Sequence, residues 1–259
     1  LLGGCQGTTG PSSVDPSTGQ PYGMDFPLLA VSDFVSAHRR LVRHLGIERL
    51  HAVVGGSLGG MQALSWALEA PGEVESAVVV AASSRLSAQN IAFSAVAREA
   101  IMRDENFNEG RYHGTGRSPD VGLAVARMMA HITYLSEAAM TAKFGRRFQD
   151  SDTPRFGFGV DFQVESYLRH QGESFLSRFD ALSYLYLSRA LVADGTAHEM
   201  VGAIPVVVEQ TSRPQGHGYV IAEAVETNPF LPAGTMIRGH EFHNSRIVNW
   251  QGKRSTAYR

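Results

Sequence analysis

The chain has 259 residues, of which 43% are hydrophobic and 19% are charged, and its formal net charge is −2. A chain of this size buries a sizeable core, as one large domain or two small ones. The charge excludes the basic surface of a nucleic-acid-binding protein and a polybasic membrane anchor, and no run of about 18 apolar residues is present to span a membrane. A single cysteine, Cys5, excludes an internal disulfide. With no signal peptide visible, it indicates a cytoplasmic location.

The first 27 residues are rich in Gly, Pro, Ser and Thr and have no periodic apolar pattern. Because Tyr22, Met24 and Phe26 are unusual in a disordered tail, we predict a long ordered loop. The chain starts inside this stretch without Met, and we expect its natural N-terminus to be missing. Apolar residues at helical spacing then predict a helix over 33–45, which Gly46 ends.

A glycine-flanked serine separates a predicted strand, 51–55, from a predicted helix, 58–69. Gly55 and Gly59 each lie two residues from Ser57, so the chain carries the G-x-S-x-G pattern of the nucleophile elbow in α/β-hydrolase folds. In such a turn the serine has a strained backbone, and glycine at both flanking positions prevents a collision between side chains.

This turn is expected to raise Ser57 Oγ to the carboxyl edge of the sheet. It would also aim the N–H of Leu58, at the start of the helix, toward an oxyanion. The pattern therefore predicts a catalytic serine with one oxyanion donor. The alternative is a glycine turn without chemistry inside an ordinary β–α unit.

The next segments favour an α/β fold with a helical lid. Residues 75–82 are almost continuously apolar, as in a strand buried on both faces of a parallel sheet, and strands alternate with helices up to this point. A mostly helical block then follows and is typical of a lid over the active-site edge. Its predicted helices are 87–103, 118–131, 136–145, 160–170 and 173–191.

The pattern changes again after about residue 192. Short apolar runs alternate with turn clusters and predict a β-rich segment. These runs are 204–208, 217–223 and 234–238. With a boundary at 192–196, we predict a partial hydrolase core over 1–86, a lid over 87–191 and a β-rich segment over 192–259.

Motifs spread over residues 1–191 resemble the homoserine O-acetyltransferase family of α/β-hydrolase enzymes. They occur in the family's order, from the opening loop through the elbow to the lid. They read LGGCQGTTGPSS (2–13), GMDFP (23–27), GGSLGGMQ (55–62), LSAQNIAF (86–93), ARMMAHITY (126–134), KFGRR (143–147) and VESYLR (164–169).

The resemblance implies an acyl transfer from acetyl-CoA to the hydroxyl of L-homoserine, through a serine acyl-enzyme, on the route to methionine. A close branch uses succinyl-CoA, and the motifs do not separate the two donors. The resemblance implies that Ser57 is the nucleophile and that Arg127 and Tyr134 position the substrate. It also implies a homodimer through the lid helices, and no bound cofactor beyond the acyl-CoA co-substrate.

The spacing of Arg127 and Tyr134 agrees with this role. Seven residues are two helical turns, so both side chains can share one face, and an arginine fork can hold the homoserine carboxylate. The alternative for Arg127 is a solvated surface charge, which its apolar neighbours disfavour.

Residues 196–259 instead resemble the C-terminal part of the cobyrinic acid a,c-diamide synthase family, whose glutaminase domain is a triad-type amidotransferase. The matching motifs are HEMVGAIP (198–205), RPQGHGY (213–219), NPFLP (228–232) and RGHEFHNSR (238–246). The resemblance implies that His240 pairs with a cysteine nucleophile. However, no cysteine follows Cys5, and Asn244 stands where that family usually has tyrosine.

The acyltransferase resemblance also implies a triad aspartate and histidine after the lid. Residues 195–259 contain no aspartate, so neither partner is identifiable, and His240 is a weak candidate for the base of Ser57. We therefore expect weak or no activity from this chain. The alternative interpretations of its function are an esterase, an amidotransferase fragment, or a non-catalytic product of a fused coding region. No metal site is expected, since His240 and His243 lack a third ligand nearby.

Overall fold

The computed structural model describes residues 1–155, 157–193, 206–210, 216–223, 233–243 and 245–250. The chain divides into two compact units, Leu1–Ala197 and His198–Arg259. In the first unit the described elements are α1 (Val31–His44), β1 (Val53–Gly56), α2 (Leu58–Glu69), β2 (Ala77–Val80), α3 (Ala88–Met102), α4 (Asp120–Thr133), α5 (Glu137–Lys143), α6 (Gln163–Leu176) and α7 (Ala181–Ala193). Those of the second unit are β3 (Val206–Gln210), β4 (Gly216–Glu223), β5 (Met236–His243) and β6 (Ser245–Trp250).

Strands β1 and β2 are parallel and in register from Val53 opposite Ala77. Helix α2 connects them and packs on both strands and on α1. The buried residues between these elements are Val35, Trp66, Ala70 and Val74. This β–α–β unit is the part of the fold that carries the serine turn.

The carboxylate of Glu73 joins α1 to the turn after α2. It accepts two hydrogen bonds of 2.8 Å from Arg39 and a longer one, 3.3 Å, from the Trp66 indole N–H. A second guanidinium, that of Arg43, lies 2.5 Å from the same carboxylate. The hydrogen bonds from Arg39, and then that from Arg43, lower the pKa of Glu73 to about 2.

The predicted lid is a layer of packed helices. Helix α4 lies against α3, α6 and α7, and α3 also contacts α7. Their common core includes Ile101, Leu123 and Leu182, all fully buried. The close approach of α6 to α4 explains Gly172, because a Cβ there would lie 3.0 Å from the carbonyl oxygen of Ala124.

One boundary in this layer was predicted wrongly. We expected a break at 171–172 and a helix over 173–191, but α6 continues through Gly172 to Leu176, and α7 starts at Ala181. The carboxylate of Asp180 accepts a 2.9 Å hydrogen bond from the backbone N–H of Ser183, which caps the first turn of α7.

The burial predicted for strand β2 is also wrong. Val79 and Val80 are 39% and 52% exposed, and Val54 of β1 is 68% exposed. Within the described ranges, β1 and β2 pair only with each other, so their outer edges carry no further strand. An apolar run indicates that a strand can be buried, but its actual burial depends on what packs against it.

The predicted ordered loop at the N-terminus is confirmed by its contacts with the helical layer. The Gln6 side chain donates a 2.8 Å hydrogen bond to the carbonyl of Arg178, and the Tyr186 hydroxyl donates to the carbonyl of Met24 over 2.9 Å. The Phe26 ring lies edge-on to Tyr186, with 5.4 Å between ring centres, and is buried in the helical core.

The four strands described in the second unit form two antiparallel pairs, β3 with β6 and β4 with β5. Strand β6 was not among the predicted runs. The domain boundary predicted at 192–196 lies largely outside the described residues and stays a prediction.

Candidate active site

Ser57 occupies the turn between β1 and α2 with a backbone conformation that side chains rarely adopt. Its φ is 54° and its ψ is −123°. The Ser57 N–H donates a 2.9 Å hydrogen bond to the carbonyl of Val80, and its carbonyl accepts one of 3.1 Å from the N–H of Met61. The turn is thus held by β2 on one side and by α2 on the other, and the serine is exposed.

The glycines around Ser57 have different roles from those predicted. A Cβ at Gly55 would overlap the backbone carbonyl of Gly59, whereas a Cβ at Gly59 would meet no atom within 4 Å. A Cβ at Gly60 would lie 2.6 Å from Cβ of Ala82. The collision is therefore between position 55 and the helix backbone, not between two side chains, and Gly60 rather than Gly59 is the second constrained position.

Leu58 is the first residue of α2. The first N–H groups of a helix have no partner within it and carry the positive end of the helix dipole. The Ser57 side chain makes no capping hydrogen bond to them. This end of α2 therefore offers N–H donors beside the serine, as an oxyanion formed at Ser57 requires.

Arg127 and Tyr134 are brought together, as their spacing predicted. The Nη1 atom of Arg127 donates to the Tyr134 hydroxyl over 3.5 Å. The guanidinium carbon also lies over the ring of Phe175, 4.5 Å from the ring centre. The Nε atom of Arg127 is buried without a hydrogen-bond partner, and Tyr134 remains exposed.

Two further side chains adjoin this pair. His131 lies 5.2 Å from Tyr134 between ring centres, and its Nδ1 is 2.9 Å from the hydroxyl of Tyr167. Burial, followed by repulsion from Arg127 and Lys143, lowers the pKa of His131, so the ring is neutral near pH 7. Our sequence reasoning missed His131, although it lies one helical turn beyond Arg127.

The structure does not join these parts into one hydrogen-bonded site. Among the described residues no hydrogen bond links Ser57 to Arg127, to Tyr134 or to any histidine. The backbone of His240 lies in β5 opposite Tyr219, while its side chain lies outside the described set. The roles predicted for Ser57, Leu58, Arg127, Tyr134 and His240 therefore remain predictions.

The single cysteine, Cys5, has structural contacts. Its Sγ accepts a hydrogen bond of 3.3 Å from the backbone N–H of Asp180.

The described residues contain no group of three or more His, Cys, Asp or Glu side chains that could hold a metal ion. None of the described helices combines the length and apolar character needed to cross a bilayer.

A strand, a strained serine turn and a helix, returning to a parallel neighbouring strand, define the class of proteins with a nucleophile elbow. The chain belongs to the alpha/beta hydrolase fold family, whose sequence model matches residues 1–211. The α/β-hydrolase fold predicted from the sequence is thereby confirmed.

The chain is also similar to individual proteins of known name or structure. Homoserine O-succinyltransferase from Magnetococcus marinus is 60% identical over 196 residues, covering 73% of this chain and 50% of that protein. The crystal structure of homoserine O-acetyltransferase from Bacillus anthracis aligns with a TM-score of 0.65 at 30% identity, covering 71% of this chain and 49% of that one. The crystal structure of esterase E22 aligns with a TM-score of 0.62 at 31% identity, covering 73% and 54%. The chain thus spans about half the length of these relatives.

Proposed function

We propose that this chain is part of a homoserine O-acyltransferase, with Ser57 as its nucleophile. The observation that carries the proposal is the Ser57 turn, whose φ of 54° sets the hydroxyl at the start of α2. The similarity to an acyltransferase at 60% identity supports the acyl chemistry.

In the proposed reaction, Ser57 Oγ attacks the carbonyl of an acyl-CoA thioester. The C–S bond breaks, coenzyme A leaves as the thiol, and the acyl group remains on the serine as an ester. The N–H of Leu58 stabilises the oxyanion formed on the way. The hydroxyl of L-homoserine then attacks the ester, which releases O-acylhomoserine and restores Ser57.

Arg127 and Tyr134 are proposed to hold the homoserine carboxylate. The guanidinium is already fixed over Phe175, so it loses little freedom on binding, and a planar fork suits a planar carboxylate. Tyr134 is exposed and lies 3.5 Å from the same guanidinium, which leaves its hydroxyl free to turn toward a ligand.

Mass spectrometry of the purified chain mixed with acetyl-CoA or succinyl-CoA tests the nucleophile and the donor together. We expect one acyl group to be added to the peptide that contains Ser57, and none in Ser57→Ala. Ser83→Ala, in an exposed loop nearby, should be acylated like the unchanged chain. Acylation that persists in Ser57→Ala would refute the proposal, and the donor that reacts faster decides between acetyl and succinyl.

The rate is a separate question, because a base must accept the proton of Ser57 during acylation and that of the homoserine hydroxyl during the second step. The weak activity expected from the lack of aspartate in residues 195–259 stays a prediction. Measuring O-acylhomoserine formed per chain under saturating donor decides it, since turnover at ordinary enzyme rates would contradict the expectation.

An ester hydrolase is the second candidate, supported by the similarity to esterase E22. Both functions use an acylated serine and differ in whether water or homoserine accepts the acyl group. Comparing hydrolysis of p-nitrophenyl acetate with and without homoserine separates them. Acetylhomoserine as the main product favours the transferase, and acetate alone favours the hydrolase. If the chain is instead an amidotransferase fragment, it should release ammonia from glutamine, and His240→Ala should abolish that release.

A further inference from the structure

Three helices that pack together each carry one arginine, and one of these helices also carries a tyrosine. Arg98 belongs to α3, Arg127 to α4 and Arg189 to α7, and each of these helices contacts the other two. The tyrosine is Tyr184 of α7, whose hydroxyl donates to the carbonyl of Ala126 over 3.5 Å, the outer limit of a hydrogen bond. We refer to Arg98, Arg127 and Arg189 as the arginine cluster.

Within the described ranges no carboxylate neutralises the cluster. The ion pairs found there involve other cations, and Glu99, the next residue along α3 from Arg98, is paired with Arg103. The Nη1 atom of Arg98 and the Nε atom of Arg127 are both buried with no hydrogen-bond partner. Buried guanidinium N–H groups without acceptors are costly, and an anionic ligand removes that cost.

The charges of the cluster act on one another. Burial, followed by repulsion from Arg189, lowers the pKa of Arg98. Burial, with a contribution from Tyr134, raises the pKa of Tyr184 to about 12, while Arg127 and Arg98 both oppose that rise. Both guanidiniums therefore lie near the same phenol hydroxyl, which can act there as a neutral donor.

We infer that Arg98 and Arg189, with the hydroxyl of Tyr184, bind a second oxyanion beside the one assigned to Arg127. The cluster carries three positive charges, whereas an amino acid supplies a single carboxylate. The second anion belongs to the acyl donor, as the free carboxylate of a dicarboxylic acyl group or as a phosphate of its thiol carrier. This inference rests on the proposed function only in taking Arg127 as the site of the amino-acid carboxylate.

Calorimetric titration of the 259-residue chain with succinate and with inorganic phosphate tests the second subsite. Arg98→Gln and Arg189→Gln remove its two cations, and Arg103→Gln removes an exposed cation from the residue that follows α3. We expect both cluster variants to bind the preferred anion at least about tenfold more weakly, while Arg103→Gln binds it like the unchanged chain.

Each result has a defined meaning. Preference for succinate points to a dicarboxylic acyl group, and preference for phosphate points to the carrier. Equal anion affinity in the unchanged chain and the cluster variants, or an equal loss in Arg103→Gln, overturns the inference. Arg189 is exposed, so Arg189→Gln keeps the test valid if Arg98→Gln fails to fold by circular dichroism.

Titration with L-homoserine keeps the two proposals apart. If homoserine binding survives in Arg98→Gln and Arg189→Gln while anion binding is lost, the second subsite is separate from that of Arg127. Anion binding by a chain that does not bind homoserine would contradict the proposed function but would still support the second subsite.

Discussion

The hydroxyl of Tyr112 donates a 2.7 Å hydrogen bond to Oδ1 of Asp180, although the two residues are 68 positions apart. The same oxygen lies 2.9 Å from Nε2 of His113, and the Tyr112 hydroxyl accepts a 2.8 Å hydrogen bond from the N–H of Leu182. Asp180 thus joins the start of α7 to the loop that precedes α4.

We predict that Asp180→Asn lowers the free energy of unfolding by about 2 kcal/mol at pH 7, because a buried charged acceptor of several hydrogen bonds becomes neutral. Burial alone would raise the pKa of Asp180, but hydrogen bonds from His113, from the N–H of Ser183 and from Tyr112 lower it overall. A lowered folded-state pKa contributes stability above the unfolded value, about 3.9, and that stability is lost as the pH falls through the folded value.

Urea unfolding at pH 7 and near pH 3 measures this difference. The gap between the unchanged chain and Asp180→Asn should narrow at the lower pH. Asp150→Asn, at an exposed position, is the matched control and should unfold like the unchanged chain at both. A gap that does not depend on pH would mean that packing, rather than charge, accounts for the loss.

The two glycines of the G-x-S-x-G pattern should respond differently to alanine. Gly55→Ala is expected to destabilise the first unit by about 3 kcal/mol, because the new Cβ overlaps the carbonyl of Gly59. Gly59→Ala has open space and lies in α2, so helix propensity predicts a gain of up to about 1 kcal/mol. Thermal unfolding of both variants checks the order, and equal losses would contradict it.

The strain at Ser57 predicts that Ser57→Gly unfolds at a higher temperature than Ser57→Ala. Glycine adopts a φ of 54° and a ψ of −123° more readily than alanine, and the difference should be about 1 kcal/mol after the larger entropy of the unfolded glycine chain is included. Calorimetric melting of the two variants makes the comparison with the hydroxyl absent from both. A more stable alanine variant would show that the turn is unstrained.

Arg127→Lys should weaken L-homoserine binding by about tenfold or more, since an ammonium group cannot make two parallel hydrogen bonds to a carboxylate. Isothermal titration with L-homoserine measures the effect, with Arg169→Lys on the exposed surface of α6 as the control. An unchanged affinity of Arg127→Lys for L-homoserine would contradict the proposal that Arg127 binds its carboxylate.

What the sequence could predict is the part of the site that depends on local order. The Ser57 turn follows from residues that are adjacent in the chain, and the contact between Arg127 and Tyr134 follows from helical spacing. The contacts of Asp180 with Tyr112 and Cys5 were missed because these partners lie in loops distant along the chain, whereas its cap on Ser183 is local.

Arg98 could have been noticed in the sequence, because it is a basic residue between two apolar runs, 95–97 and 100–102. Its importance, however, depends on helices α4 and α7, which the periodicity of α3 does not reveal. The exposure of Val80 was unpredictable for a similar reason, because a strand's burial is a property of its neighbours.

The exposed valines of the β1–β2 pair also bear on the heat capacity change when the first unit unfolds. Heat capacity rises on denaturation mainly because apolar groups become newly hydrated. Val54, Val79 and Val80 are 68%, 39% and 52% exposed, so melting hydrates only about half of their surface anew. Their share of the heat capacity increment should therefore be about half that of fully buried valines, and for the whole unit this is a reduction of only a few per cent from the usual value of about 12–15 cal/mol/K per residue.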